Sequence, residues 1–288
     1  MKLQLKDIAY SYYSITGEET SVLKDLTVDF HSGEICGVFG KTGTGKTTLI
    51  QTLNGLIIPQ AGQVLLDSEV IRKGKKGIPG LRRKVGLVFQ YPEHQIFEET
   101  IYNEVVYAIK EMKISDSEKK QKVRKALSLV NFNPDYDIFT RSPFELSGGE
   151  ERKVAIASVL IMEPDLFVLD EPSAGLDPVS RNSISELINN LKKNGTGVII
   201  VTHDIIWALD IVEKILVLKK GGVVFHGKRK DFMTRLNEFY KDDNFYLPEE
   251  LLLLIELEKK GINIEVDRFN ISSIYDQIVK KKKKIRQD

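Results

Sequence analysis

Gly40-Lys41-Thr42-Gly43-Thr44-Gly45-Lys46-Thr47 follows the spacing G-x-x-x-x-G-K-[ST], which suits one kind of chemistry. Its glycines let backbone N–H groups turn inward around a phosphate, and a helix opening near Lys46 adds the positive end of its dipole. Lys46 supplies a charge to β- and γ-phosphates, and the Thr47 hydroxyl is a donor for Mg²⁺. The apolar run Ile35–Phe39 before the loop and the helical stretch Thr48–Leu53 after it provide the required strand–loop–helix setting. The motif announces a nucleoside triphosphate without saying which reaction follows.

Leu166-Phe167-Val168-Leu169-Asp170-Glu171 is the acidic counterpart, an apolar strand ending in two carboxylates. Asp170 at the strand tip is placed to hold Mg²⁺ through water, and Glu171 to polarise an attacking water as general base. A structural carboxylate pair is the bland reading. His203 ends another apolar strand, Val198–Val201. Alone it would read as an ordinary packed or surface histidine; beside a triphosphate it suits contact with the γ-phosphate. Gln90, after Val85–Phe89, has the same logic and reaches toward Mg²⁺ or the attacking water.

Leu146-Ser147-Gly148-Gly149-Glu150 reads as a helix start. Ser147 and Glu150 have capping-box spacing, and two glycines at the mouth expose backbone N–H groups as a second anion site. A chain with a complete phosphate loop has no obvious need of another. A second nucleotide, held by a second subunit, would explain it.

The elements that must position these residues repeat one grammar, a short apolar strand ending in a polar or glycine-rich residue and followed by a helix. Such continuous Val/Ile/Leu runs suit strands buried on both faces of a parallel sheet. Their carboxyl ends lie along one edge, where open α/β sheets bind ligands. Residues 1–30 alternate in the manner of strands. Residues 60–82 read as surface hairpins. Residues about 92–160 read as an inserted helical subdomain, with helices expected over Glu99–Met112, Ser117–Val130 and Glu151–Met162. The character changes near Tyr240, and Pro248 opens a helix that includes Leu251–Leu254.

The chain has 288 residues with 42% apolar and 29% charged content and a net charge of +1. That permits a large core and gives no basic excess of the kind nucleic-acid binders carry. The single cysteine, Cys36, excludes a disulfide framework and sits in an apolar run as a core residue. The polar start Met1–Lys6 does not resemble a secretion signal, and no apolar stretch approaches the length of a membrane span.

Together these segments resemble the ATP-binding cassette (ABC) ATPases over residues 1 to about 230. Gly40–Thr47 matches Walker A, Leu166–Asp170 Walker B with Glu171 catalytic, Gln90 the Q-loop, Leu146–Glu150 the signature, Ser173–Asp177 the D-loop and His203 the switch histidine. Tyr12, or Tyr10 or Tyr13 with a shifted register, falls where the family stacks an aromatic on adenine.

The resemblance implies an α/β fold. It would comprise a P-loop NTPase core with a mostly parallel sheet, an N-terminal antiparallel β-subdomain, an inserted helical subdomain and a small C-terminal helical extension. An ATPase domain over 1–240 and an extension over 241–288 are expected. The implied site holds ATP on Tyr12, Gly40, Lys41, Thr42, Gly43, Thr44, Gly45, Lys46, Thr47 and Thr48, with Mg²⁺ on Thr47, Gln90 and Asp170. Glu171, His203 and Gln90 would be catalytic. Ser147, Gly148, Gly149 and Glu150 would close on the partner's ATP in a head-to-tail dimer.

Phe89–Phe97, with its Pro-Glu-His-Gln core, and the appendage Leu247–Ile264 are similar to the energy-coupling-factor (ECF) group of importers of vitamins or transition-metal ions. That likeness implies a second, paralogous ATPase subunit, an integral membrane coupling subunit, a substrate-binding membrane subunit, no nucleic acid, and a peripheral place on the cytoplasmic face of the membrane. A conventional importer ATPase shares every core motif. A soluble ABC protein acting on DNA or ribosomes would need a long coiled coil or two cassettes. The signature departs from the family, which ends it in glutamine, and the extra charge of Glu150 is expected to slow the site it completes. Lys280–Lys284 and Arg286 read as a solvated tail or as a lipid-headgroup contact, and Trp207 as packing.

Overall fold

The computed structural model describes residues 1–72, 77–133, 137–240, 246–262, 264, 269 and 271–285. β1 (Lys2–Tyr13) and β2 (Glu19–His31) are followed by β3 (Ile35–Phe39) and α1 (Lys46–Leu53). β4 (Ala61–Leu66), β5 (Glu69–Val70), α2 (Gly77–Lys84) and β6 (Val85–Val88) come next. α3 (Ile101–Val106), α4 (Asp116–Leu129) and α5 (Gly148–Leu160) form the helical insert. β7 (Leu166–Asp170), α6 (Pro178–Lys193), β8 (Gly197–Val201), α7 (Ile205–Leu209), β9 (Lys214–Lys219) and β10 (Gly222–Lys228) complete the core. α8 (Arg229–Thr234), α9 (Leu236–Tyr240), α10 (Glu249–Lys259) and α11 (Ile271–Ile285) close the chain.

The strands form two sheets, one ordered β2-β1-β4-β5 and one ordered β10-β9-β3-β8-β7-β6. The first is antiparallel. In the second, β6, β7, β8, β3 and β9 are parallel, and only β10 runs against its neighbour. The apolar runs are continuous because both faces are covered. Cys36, Val38, Leu166, Val168, Ile199 and Val201 pack toward the antiparallel sheet and α1. Their alternates Ile35, Phe39, Phe167, Leu169, Val198 and Ile200 pack toward the helices on the other side. Cys36 is buried as expected, and burial pushes its thiol up to about 12.

Register brings the strand ends level. Val38 of β3 and Asp170 of β7 both pair with Val201 of β8, and Val88 of β6 pairs with Leu169. Gly40, Glu171 and Thr202 therefore leave the sheet side by side, with the segment of Gln90 next to them.

Several elements differ from expectation. Residues 60–82 hold one hairpin, β4–β5, and then the start of α2. The first insert helix is shorter, α3 passing into a 3₁₀ turn over Tyr107–Ile109. α5 starts three residues before Glu151, because Ser147 and Glu150 organise its first turn. Pro248 opens α10 as expected, and Leu251 and Ile255 are buried beside Phe232, Leu236 and Phe239. Each such side chain contributes about 1.5–3 kcal/mol, so α10 is fastened to the main body. The backbone of Lys280–Lys284 is helical, the end of α11; Arg286 lies outside the described residues.

Candidate functional site

The loop after β3 is shaped by glycines that nothing else could replace. A Cβ at Gly40 (φ +154°) would lie 2.6 Å from the Leu218 carbonyl oxygen, and one at Gly45 (φ +99°) 2.8 Å from that of Val22. Thr44 is buried and its hydroxyl donates to the Lys41 carbonyl at 2.8 Å. No side chain caps α1 and no acidic residue sits in its first turn, so its leading N–H groups keep their positive field. Lys46 folds back along the loop, Nζ donating to the carbonyls of Gly40 at 2.7 Å and Lys41 at 3.0 Å. Lys41, Thr42, Gly43 and Thr47 are exposed, whereas Thr48 is buried, its hydroxyl 3.3 Å from that of Tyr12. Tyr12 itself is 44% exposed, its ring nearly perpendicular to that of Tyr10 with the centroids 5.0 Å apart.

Asp170 and Glu171 occupy the tip of β7. Burial, reinforced by the neighbouring Glu171 charge, pushes Asp170 up to about 6, and Lys46 only partly opposes this. Burial likewise lowers Lys46, against the pull of Glu171 and Asp170. Glu171 adopts φ +48°, and its N–H donates to the Val201 carbonyl at 2.7 Å. That left-handed turn throws its side chain across to the next strand end. There Oε2 accepts from the Thr202 hydroxyl at 3.0 Å and the His203 backbone N–H at 3.3 Å, and lies 2.9 Å from His203 Nδ1.

Lys41, Lys46, Glu171, Thr202, His203 and Tyr246 line one cleft of about 250 Å³. Three of the strand ends flagged in the sequence thus meet. Gln90 is exposed at the end of the neighbouring β6. Ser147, Gly149 and Glu150 line a different hollow, between α5 and α6, with Leu176 and Arg152. Glu150 Oε2 there accepts from the Ser147 N–H at 3.0 Å and hydroxyl at 2.8 Å, and these bonds hold its pKa down. The signature and the phosphate loop do not share a cleft within one chain.

Two residues escaped the sequence reading. Thr202, 1% exposed, fixes Glu171 through its hydroxyl; its place beside His203 at a strand end was the available signal. Tyr246 enters the cleft from the segment before α10, and no local pattern marks it. Trp207 packs, its Nε1 donating to Ser185 Oγ at 2.9 Å. Asp177 caps α6, accepting from the N–H groups of Val179 at 2.8 Å and Ser180 at 3.1 Å.

The sequence profile described as "ABC transporter" matches residues 23–174. The energy-coupling factor transporter ATP-binding protein EcfA2 of Bacillus cereus is 40% identical over 283 residues, covering 97% of this chain and 96% of the relative. The protein of the same name from Clostridium perfringens is 36% identical over 281 residues, covering 97% of this chain and 98% of the relative. The solved structure of cbiO1 from Clostridium perfringens, part of the ABC transporter complex cbiONQ, superposes with a TM-score of 0.72 at 33% identity, covering 88% of this chain and 98% of that one. A dimeric post-hydrolysis structure of the cassette MJ0796 bound to ADP and Pi gives 0.69 at 27% identity, covering 79% and 98%.

Proposed function

The chain belongs to the ABC transporter ATP-binding family and is an ATPase, and we propose that it powers an importer of the energy-coupling-factor type whose cargo is a vitamin or a transition-metal ion. The observation that carries the site assignment is the shared cleft of Lys46, Glu171 and His203, delivered by three strands at one level.

In this reading the triphosphate lies on residues 40–48, with Lys46 leaving its loop carbonyls for the β- and γ-phosphates and the adenine ring on Tyr12. The donor set fits Mg²⁺: Thr47 and Asp170 offer hard oxygens, Gln90 stands at the adjacent strand end, and the raised pKa of Asp170 marks a place where positive charge is wanted. When bound, Mg²⁺ supplies neutralisation of the phosphate charge. Glu171 takes the proton of the attacking water. Thr202 holds that carboxylate in place. His203 exchanges its contact with Glu171 for the γ-phosphate, and Gln90 reports the same occupancy to the insert.

The distant Ser147–Glu150 mouth supports a head-to-tail dimer, in which each signature closes on the triphosphate of the partner, here a paralogous ATPase subunit. ATP that binds the closed pair better than the open one draws the two subunits together by its differential contacts, and hydrolysis lets them part. No described helix is long and apolar enough to cross a membrane, so the chain acts peripherally, docked on an integral coupling subunit that works with a substrate-binding one. Phe97 and Tyr107, 59% and 51% exposed and in edge-on contact at 4.9 Å, offer the insert's docking surface. Buried Glu104 holds that surface by accepting from the N–H groups of Phe97 at 3.1 Å and Glu98 at 3.0 Å. Residues 1–240 act as the cassette and 241–288 as the extension.

Glu171→Gln tests the assignment. ATP binding should persist, turnover should fall by roughly 10²–10⁴-fold, and the dimer should be trapped closed in size-exclusion chromatography with ATP. Near wild-type ATPase activity in that variant would remove Glu171 from its role. Purification from membranes, with identification of the accompanying integral proteins and second cassette, tests the transporter type.

A further inference from the structure

Arg152 stands in the second turn of α5 and is 7% exposed. Its Nη2 donates to the Pro172 carbonyl at 2.8 Å and its Nη1 to that of Ala174 at 3.4 Å. It therefore grips the backbone just after Glu171, at the turn that aims the general base. Its Nε is buried with no partner among the described residues, and so is Oε2 of Glu93. Glu93 lies in the 3₁₀ turn Pro92–Gln95, which packs on α5. Burial lowers the Arg152 pKa, and the Glu93 carboxylate, with Tyr91, opposes it, so the two charges lie within each other's field.

Buried polar atoms are nearly always matched. Here an unmatched acceptor and an unmatched donor of opposite charge sit on elements that touch. The 3₁₀ turn is joined to Gln90 through Tyr91, whose φ of +55° is unusual for a residue with a side chain. Movement of Gln90 toward its ligands would carry Glu93 with it.

We propose that Arg152 is a positioning residue, and that pairing of Glu93 Oε2 with Arg152 Nε latches the segment after Gln90 to the loop that aims Glu171. The latch closes when Gln90 engages nucleotide, and only then does the Glu171 turn settle into its hydrolytic geometry. A cation on the signature helix thus couples the two loops that face the γ-phosphate. The inference rests on reading the cleft as an ATP-hydrolysing site.

The test is a double-mutant cycle on the full chain in the complex purified from membranes. Glu93→Gln is isosteric, and Arg152→Lys keeps the charge while losing the fork. Each should lower kcat at least fivefold while KM and the affinity for a fluorescent ATP analogue stay within twofold. The double variant should be no slower than the slower single one. Wild-type kcat in Glu93→Gln, losses that multiply, or a raised KM at unchanged kcat would overturn the latch. A second arm does not depend on turnover. In the Glu171→Gln background, ATP should protect amides 173–176 from hydrogen exchange, and adding Glu93→Gln should remove that protection; equal protection in both would refute the proposal. A wild-type complex without ATPase activity would sink the functional reading alone, since the exchange arm still reads the latch.

Discussion

Oε2 of Glu171 lies 2.9 Å from Nδ1 of His203, and the same oxygen accepts the Thr202 hydroxyl at 3.0 Å. The exposed histidine, with a side chain 77% accessible, shares its carboxylate with an almost inaccessible threonine. Thr202 therefore holds the carboxylate from a buried position, while His203 meets it from the solvent side. Thr202→Val should lower kcat by about tenfold and stability by about 1 kcal/mol, the usual worth of one buried hydrogen bond. Steady-state ATPase kinetics and a thermal melt check this, and unchanged kcat would leave Glu171 needing no such support.

Asp170 gives a pH-dependent expectation. Its folded pKa of about 6 lies above the ordinary 3.8, so its protonated form favours the fold. That contribution is full below about pH 4 and disappears as pH rises through 6. Without nucleotide, Asp170→Asn should be more stable than the wild type at pH 7.5 and indistinguishable at pH 4. Two units correspond to about 3 kcal/mol, reduced to about 1–2 kcal/mol for solvent screening at a partly accessible carboxyl. Turnover should be lost. A lower melting temperature at pH 7.5 would contradict this electrostatic account.

The Phe97–Tyr107 pair should matter to assembly and not to nucleotide. Replacing both with Ala should release the chain from its membrane partner, with a loss of about 2 kcal/mol or more if they anchor the contact. Pull-down from detergent extracts reads the first effect and ATP binding by the isolated chain the second. Full recovery of the complex would place docking elsewhere.

Glu150 already satisfies both donors of Ser147 from within its own helix, and its charge opposes an anion at that mouth. Glu150→Gln should raise ATPase turnover by about twofold to fivefold, in keeping with one charge near a helix N-terminus. A fall or no change would count against the carboxylate as a brake.

What the sequence made legible follows burial. Strands β3, β7 and β8 were plain because both their faces are covered, leaving unbroken apolar runs that end where the chemistry begins. α2 was hidden because Gly77, Pro79 and Gly80 are poor helix formers and only Leu81 of that helix is buried. The helical backbone beneath the lysines of α11 has a signal in Ile271, Ile274, Tyr275 and Ile278, which recur at helical spacing just before them. Tyr246 was invisible because its neighbours in the cleft, Lys46 and His203, are joined to it only by the folded chain. The Arg152 grip on Pro172 was equally silent, since it runs from a side chain to backbone carbonyls, which any residue supplies.

The phosphate loop is wedged between the Leu218 carbonyl at Gly40 and the Val22 carbonyl at Gly45, one from each sheet. Its curvature thus exists before any ligand arrives. An incoming anion has little chain disorder to quench, so its affinity is not eroded by freezing the loop, and capture should be quick. The slower motions of the cycle then belong to the insert and the partner subunit, which leaves the grip on phosphate constant while everything around it swings.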